Sequence, residues 1–418
     1  MDKIKCDVLV VGAGPVGTVF SYVAAKHGCS VVIVDRKNEV AAPLRGGEAV
    51  SKYLFEELSQ ELPFLQQVYT WPINDTVIYN PVAKITTKED KWKSYMLNRK
   101  EAEKIIAQAA VKQGCQLILG ATVHDAIVKD GKITKVKART MQGDLEFEPK
   151  IVVGADGATS FIRTKILGGK KLLAGVKDWG CAIELEVTNL HLDTPNSMQL
   201  FMGEIIGGYG YIFPKGNDRA DVGVGGRPFY GPDPLSLVSP LESYYALSRS
   251  NPVMHRQLKD SSPLEIKGGI IDLSKPLYPV YGNTILVGDA ANQNFAYVGE
   301  GIIPGWQAAL IAGGTVAEAL DKKDLKVLNQ YPQQYEESFI GQEARRTVQI
   351  KDNISKVIGM DLDNNLKSVL TAMLELEMIQ WDGKELPTAL KCKNQKELLH
   401  YAQQLIDEKD MKVEIAIN

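Results

Sequence analysis

The feature that most constrains this chain is a strand–turn–helix near its N-terminus that closes on an acid. Cys6–Val11, CDVLVV, is a short β-branched and apolar run suited to a strand buried on both faces. Gly12-Ala13-Gly14-Pro15-Val16-Gly17 follows at once, then a helical stretch from Thr18 to His27 stopped by Gly28. A second apolar run, Ser30–Val34, leads into Asp35. Gly12 permits the tight turn, Gly14 lets a pyrophosphate approach the backbone beside Pro15, and Gly17 lets helix and strand pack closely. The helix N-terminus presents free N–H donors and the positive end of its dipole to the phosphates. Asp35 lies 18 residues beyond Gly17. Its carboxylate can accept hydrogen bonds from both hydroxyls of a ribose and would repel a 2′-phosphate, although Arg36 beside it offsets part of that repulsion. The unit reads as a dinucleotide site and does not say which dinucleotide.

Two further segments repeat the theme of an apolar strand running into a glycine-acid turn. Ile151–Arg163 reads IVVGADGATSFIR, with Asp156-Gly157 at the turn. Thr284–Gly301 reads TILVGDAANQNFAYVGEG, with Gly288-Asp289 at the turn and a glycine-rich stretch before the next helix. These segments resemble the DG and GD motifs of the p-hydroxybenzoate-hydroxylase-like flavoproteins, in the order in which that family carries them. The resemblance implies FAD as cofactor and an α/β fold: a Rossmann-type FAD-binding domain, an antiparallel-sheet substrate domain and a helical C-terminal region. It implies that Asp289 binds the ribityl and pyrophosphate part of FAD. It places Gly299, Gly301 and the backbone at Ile302 where a helix N-terminus meets the flavin N1–C2=O edge and stabilises the reduced anionic ring. Tyr95–Gly114 reads as a helix entered through Leu97-Asn98-Arg99, and the resemblance assigns Arg99 to the FAD phosphates or ribityl chain and Val123 to the adenine.

Other segments choose among the members of that superfamily. Gly208–Lys215, GYGYIFPK, contains Y-x-Y-x-F-P and resembles the Y-x-W-x-F-P segment of geranylgeranyl reductases. Alternation along a strand puts Tyr209, Tyr211 and Phe213 on one face, and with Pro214 they are expected to wall a pocket for a long isoprenoid chain. Arg45–Ser51, RGGEAVS, matches a segment that lies beside the isoalloxazine ring in archaeal geranylgeranyl reductases, so Arg45, Gly46 and Gly47 are assigned to the cofactor. Those enzymes usually carry R-C-x-E or C-G-[ED] there. Gly46 stands at the cysteine position, so any role of that cysteine is absent here. The family's N-P before the glycines becomes Phe295-Ala296, and Phe295, Tyr297 and Trp306 are expected to make the pocket floor more aromatic where they face inward.

Composition bounds the rest. The chain has 418 residues, 44% hydrophobic and 24% charged, with a formal charge of −3, so no global attraction to nucleic acid exists. Five scattered cysteines include no CxxC pair, which argues against a zinc site or a disulfide framework. The N-terminus runs straight into a strand, so no signal peptide is expected, and no apolar run in the sequence is long enough to span a bilayer. A cytoplasmic protein is expected, with a peripheral contact at the inner face of the membrane left open. The FAD domain is expected to be discontinuous, over 1–75, 96–175 and 270–330. A substrate domain takes 76–95 and 176–269, and a helical region takes 331–418. Asp130-Gly131 and Gln142-Gly-Asp144 read as hairpin turns. In the tail, Ile354–Gly359 and Leu366–Trp381 read as amphipathic helices and Lys412–Asn418 as a short strand.

The expected activity is reduction of prenyl double bonds on a lipid, diphosphate or quinone, with electrons from ferredoxin, NADPH or a quinol. An isolated alkene accepts hydride poorly unless it is protonated as the hydride arrives. Such a site needs a dry apolar tunnel, aromatic faces for positive charge, and a proton source. Tyr209 and Tyr211 offer a face and an O–H, Glu48 offers a carboxyl if burial raises its pKa, and water relayed to the flavin is a third source. The rival readings are an aromatic monooxygenase using NAD(P)H and oxygen, and an electron-transfer flavoprotein subunit.

Overall fold

The computed structural model describes residues 2–80, 83–87, 93–166, 178–205, 208–226 and 239–358, with short stretches at 388–392, 396–397, 400–401, 404 and 412–415. The first strand is Asp2–Val11, longer than its apolar run, because its parallel partner Gly143–Gly154 extends equally far and the two pair from Asp2–Leu145 to Val11–Gly154. On its other side it pairs in parallel with Val31–Val34, which pairs with Gln116–Ile118. Gly143–Gly154 pairs in parallel with Thr284–Leu286. Side chains alternate across this sheet. Val8 and Val10 enter the same core as Phe20 and Val23 of the helix Pro15–Lys26 and Ala309 and Ala312 of the helix Ile302–Asp321. Leu9 and Val11 enter a second core with Val136, Phe147 and Leu286. A strand covered on both faces must read as a continuous apolar run, as Cys6–Val11 does.

The parallel register aligns the strand ends. Val11 pairs with both Val34 and Gly154, and Gly154 pairs with Leu286. The turns at Gly12, Asp35, Ala155 and Val287 therefore emerge along one edge, where ligands bind in open α/β sheets. The hairpin Thr122–Lys129 to Lys132–Thr140 turns at Asp130 and Gly131, both at positive φ (50° and 72°), as a two-residue turn with the twist of its strands requires.

A second sheet runs Ser262–Asp272, Trp179–Thr188, Arg219–Gly226, Gly208–Gly216, Ser197–Met202, Asp75–Tyr79, Ala83–Thr87 and Lys412–Ile415. The last of these comes from the tail and adds an edge strand antiparallel to Ala83–Thr87. Residues 95–114 do not form one helix. Ser94–Leu97 is a strand, and the helix is Arg99–Lys112, because the Asn98 side chain accepts the Glu101 N–H and caps it there. Ile354 belongs to a longer helix, Phe339–Ile358, whereas Gly359 and Leu366–Trp381 lie outside the described residues. Among the described residues no helix is long and apolar enough to cross a membrane.

The second sheet buries charge on one face. Glu184 sits directly opposite Lys267, and Glu186 opposite Asp221. Lys267 Nζ lies 3.1 Å from carboxylate oxygens of Glu48, Glu184 and Asp221, and Lys215 Nζ bonds Glu48 and lies 2.7 Å from Glu186. Glu48, Glu186 and Asp221 approach as closely as metal ligands do, but the two ammonium groups fill the positions between them. Burial disfavours the Asp221 carboxylate, and the charges of Glu184 and Glu48 push its pKa further up. Desolvation acts the other way on Lys267, but the carboxylates of Asp221, Glu184 and Glu48 outweigh it and hold the ammonium charged. Removing one cation strands several acids in the interior. Lys267→Ala is expected to cost about 3–5 kcal/mol of stability, measurable as a lowered denaturation midpoint. Lys267→Arg should recover part of it.

Candidate active site

One cleft of about 1150 Å³ runs from the edge of the parallel sheet to the face of the second sheet. Its first end is a cradle for a dinucleotide. Gly12, at φ 112°, has no room for a side chain, because a Cβ there would meet the Ala155 carbonyl oxygen at 2.2 Å. Gly17 is closed in the same way, with a Cβ falling 2.0 Å from the Gly12 oxygen. Gly14 is different: a Cβ there would meet nothing within 4 Å, so it borders open cleft. Pro15 occupies the first turn of the helix, where its missing N–H leaves no bond unmade. Asp35 is buried, and its two oxygens accept the N–H groups of Ala13 (2.7 Å) and Lys37 (2.8 Å), which fixes the carboxylate at the rim with lone pairs left for hydroxyl donors. Arg36 and Val123 line the same end.

The other two turns are locked to each other. Asp156 accepts the N–H groups of Phe161 (2.7 Å) and Ile162 (3.2 Å) and the Ser160 hydroxyl, so its carboxylate caps the helix Phe161–Ile166 while its edge lines the cleft beside Gly157. Arg163 of that helix donates to Asn292 Oδ1 (2.8 Å) and to the Ala158 carbonyl. Asn292 follows Asp289 at positive φ (56°), so the arginine ties the first acidic turn to the second. Gln293 accepts the Gly288 N–H (2.8 Å) and donates to the fully buried Tyr331 hydroxyl (2.7 Å). Gly288 itself lies behind the cleft wall, and Asp289 lines the cleft. Asp289 Oδ1 is buried with no partner among the described residues. Burial raises its carboxyl to about 6, against the pull of Arg99 and Arg163. An orphaned acceptor beside a helix entrance formed by Gly299, Gly301 and Ile302 suits a polyhydroxyl chain that donates to it.

Arg99 is buried, with Nε and Nη2 on Glu103 and Nη1 donating to the carbonyls of Arg45, Gly46 and Gly47 (3.0, 3.1 and 3.1 Å). It lines the cleft, but its hydrogen bonds brace the Arg45–Gly47 loop, which also lines it. Beyond that loop lies an aromatic wall. Tyr211 and Phe213 stack at 4.4 Å, and Tyr209 lies 5.9 Å from Tyr211, with Tyr297 across the cleft lining.

Besides Gly17 and Gly288, which pack behind the lining, other expected site residues stand elsewhere. Glu48 is turned away from the cleft into the charge cluster, because Lys215 and Lys267 solvate its carboxylate. Phe295 is buried in the core with Trp306 and the helix Ile302–Asp321, since its N–H pairs with the Glu300 carbonyl and folds the segment inward. Pro214 is buried outside the lining, the strand alternation having sent it to the opposite side from Phe213. The sequence reading also passed over two groups. Glu184 accepts the Tyr211 hydroxyl at 3.0 Å from two strands away, across Arg219–Gly226, and Glu300 stands in the cleft lining between two glycines. Glu300 Oε1 is buried with no partner among the described residues, and burial lifts its carboxyl from the usual 4.5 to about 8, against a hydrogen bond from the Ile303 N–H. An acid within a glycine run was the available signal.

Similarity to known proteins agrees with this geometry. The profile of the FAD binding domain family matches residues 5–197. The digeranylgeranylglycerophospholipid reductase of Methanocaldococcus jannaschii is 31% identical over 337 residues, covering 79% of this chain and 82% of that protein. The digeranylgeranylglycerophospholipid reductase 2 of Methanopyrus kandleri is 30% identical over 413 residues, covering 96% and 100%. A solved structure of a geranylgeranyl bacteriochlorophyll reductase-like protein from Thermoplasma acidophilum superposes with a TM-score of 0.77 at 22% identity over 97% of both chains, a likeness of fold. The dinucleotide of this cleft is FAD.

Two measurements follow from the site. Gly14→Ala should leave the apoprotein Tm unchanged and weaken FAD about tenfold or more, whereas Gly17→Ala should lose about 1–3 kcal/mol of apoprotein stability as well. A raised carboxyl pKa means that the folded protein keeps a proton which the unfolded chain releases near 4.5, so this contribution to stability falls as pH rises from 4.5 to about 8. Apo Glu300→Gln, which cannot ionise, should therefore gain Tm over the parent at pH 9 relative to pH 5.

Proposed function

This chain belongs to the geranylgeranyl reductase family of FAD-dependent oxidoreductases, and on that premise we propose that it saturates carbon–carbon double bonds of prenyl chains borne on a lipid, diphosphate or quinone. The observation that carries the reading is the continuity of one cleft. A polar cradle at Gly14, Asp35 and Asp289 opens without a break onto Tyr209, Tyr211 and Phe213, with Ile78, Leu200 and Met202 beside them. A compact polar cavity would suit a small aromatic acid. A long apolar one suits a polyisoprenoid.

Bound and reduced FAD supplies two electrons as a hydride. The residues of the chain do the rest. Gly12, Gly14, Gly17 and the helix entered at Pro15 hold the pyrophosphate, Asp35 and Arg36 the adenosine ribose, and Val123 the adenine. Asp289 holds the ribityl chain, and Gly299, Gly301 and Ile302 offer backbone N–H donors to the ring. Asp156 and Gly157 fix the turn beside them, as Gly288 fixes the second, and Arg99 holds Arg45, Gly46 and Gly47 against the ring. The stacked faces of Tyr211 and Phe213 exclude water and stabilise positive charge developing on a protonated alkene. On this reading the segments 1–75, 96–175 and 270–330 carry the cofactor and the second sheet roofs it.

The test uses flavin reduced anaerobically with dithionite, so that no natural reductant is needed. Adding a geranylgeranyl lipid should reoxidise the flavin and give a saturated product by mass spectrometry. Flavin that stays reduced with every prenyl substrate overturns the reading. Substrate-stimulated oxygen uptake with a hydroxylated product would make the protein a monooxygenase instead.

A further inference from the structure

We propose that Glu300 is the acid that delivers the proton to the double bond, an inference that rests on the reductase reading of the same cleft. The sequence offers three other protein donors, and the structure commits each of their protons elsewhere. Tyr209 donates its hydroxyl to the Val298 carbonyl at 3.1 Å. Tyr211 donates to Glu184 at 3.0 Å, and burial together with that neighbouring charge pushes its pKa further above the phenol value, which makes it a weaker acid than free tyrosine. Glu48 is held by two lysines outside the cleft.

Glu300 differs in each respect. It lines the cleft between Gly299, at φ 74°, and Gly301, at the entrance of the helix Ile302–Asp321. Its Oε1 is buried and meets no donor or acceptor among the described residues. The Tyr209–Val298 hydrogen bond ties the aromatic wall to the segment that carries Glu300 two residues later, so acid and wall border the same stretch of cleft. With its carboxyl raised to about 8 it is largely protonated at neutral pH yet a stronger acid than Tyr211, which is where general acid catalysis is most efficient.

The step balances simply. The π bond opens, one carbon takes the hydride supplied by reduced FAD, and the other takes the Glu300 proton as its O–H bond breaks. The carboxylate left behind is reprotonated by water from the solvent side of the cleft, where the preceding Val298 and Gly299 are exposed.

The test compares FAD-loaded wild type with Glu300→Gln and Glu300→Asp in a single anaerobic turnover. All three should bind FAD and reduce with dithionite alike. Flavin reoxidation by a geranylgeranyl lipid should slow about a hundredfold or more in E300Q and less in E300D. As an independent readout, the infrared difference between wild-type and E300Q apoprotein at pH 7 should contain the band of a protonated carboxylic acid, lost at alkaline pH. Equal turnover rates in wild type and E300Q, or no such band, overturn the assignment while leaving the reductase reading intact. A wild type that turns over no prenyl substrate overturns that reading itself.

Discussion

The whole site depends on how closely the turn after Val11 approaches the turn after Gly154. A Cβ at Gly12 would lie 2.2 Å from the Ala155 carbonyl oxygen, and one at Gly17 would lie 2.0 Å from the oxygen of Gly12. Only glycine lets two neighbouring parallel strands and the intervening helix converge to that distance. Because the strands pair in register up to Val11, Val34, Gly154 and Leu286, that convergence brings every cofactor turn to one edge. Arg163 then ties the Asp156 turn to the Asp289 turn through Asn292, and Gln293 ties the latter to Tyr331 from the C-terminal helices.

Around this rigid edge the protein separates two kinds of buried charge. Against the second sheet, Lys215 and Lys267 are ion-paired with Glu48, Glu184, Glu186 and Asp221 in one cluster. In the cleft, Asp289 and Glu300 are acids without a neutralising partner in hydrogen-bond contact among the described residues, and both have raised pKa values. Unsatisfied acids carry an energetic cost that is tolerable where a ligand or a reaction uses them.

Much of this could be read before any coordinates. The three glycine-acid turns, their order and the alternation of Tyr209, Tyr211 and Phe213 are local patterns, and each follows from backbone geometry within a few residues. Less legible were the directions of single side chains. Glu48 sits one residue from a cleft-lining glycine yet faces a lysine pair brought from strands more than a hundred residues away. Arg99 carries the positive charge expected beside the cofactor, but its hydrogen bonds go to Glu103 and three carbonyls. Phe295 is as aromatic as Tyr297 and ends in the core instead of the pocket.

The sequence by itself determined the dinucleotide cradle, the FAD motifs and the aromatic strand, because spacing along a strand or turn fixes those relations locally. Only the tertiary structure decided which acid is free to act. Glu48 and Glu300 are chemically identical side chains, each next to glycines. The first is paired by cations that long-range strand pairing delivers, and the second has its Oε1 buried with no partner among the described residues. That difference in partners and burial, which no local pattern encodes, separates a structural carboxylate from a candidate proton donor.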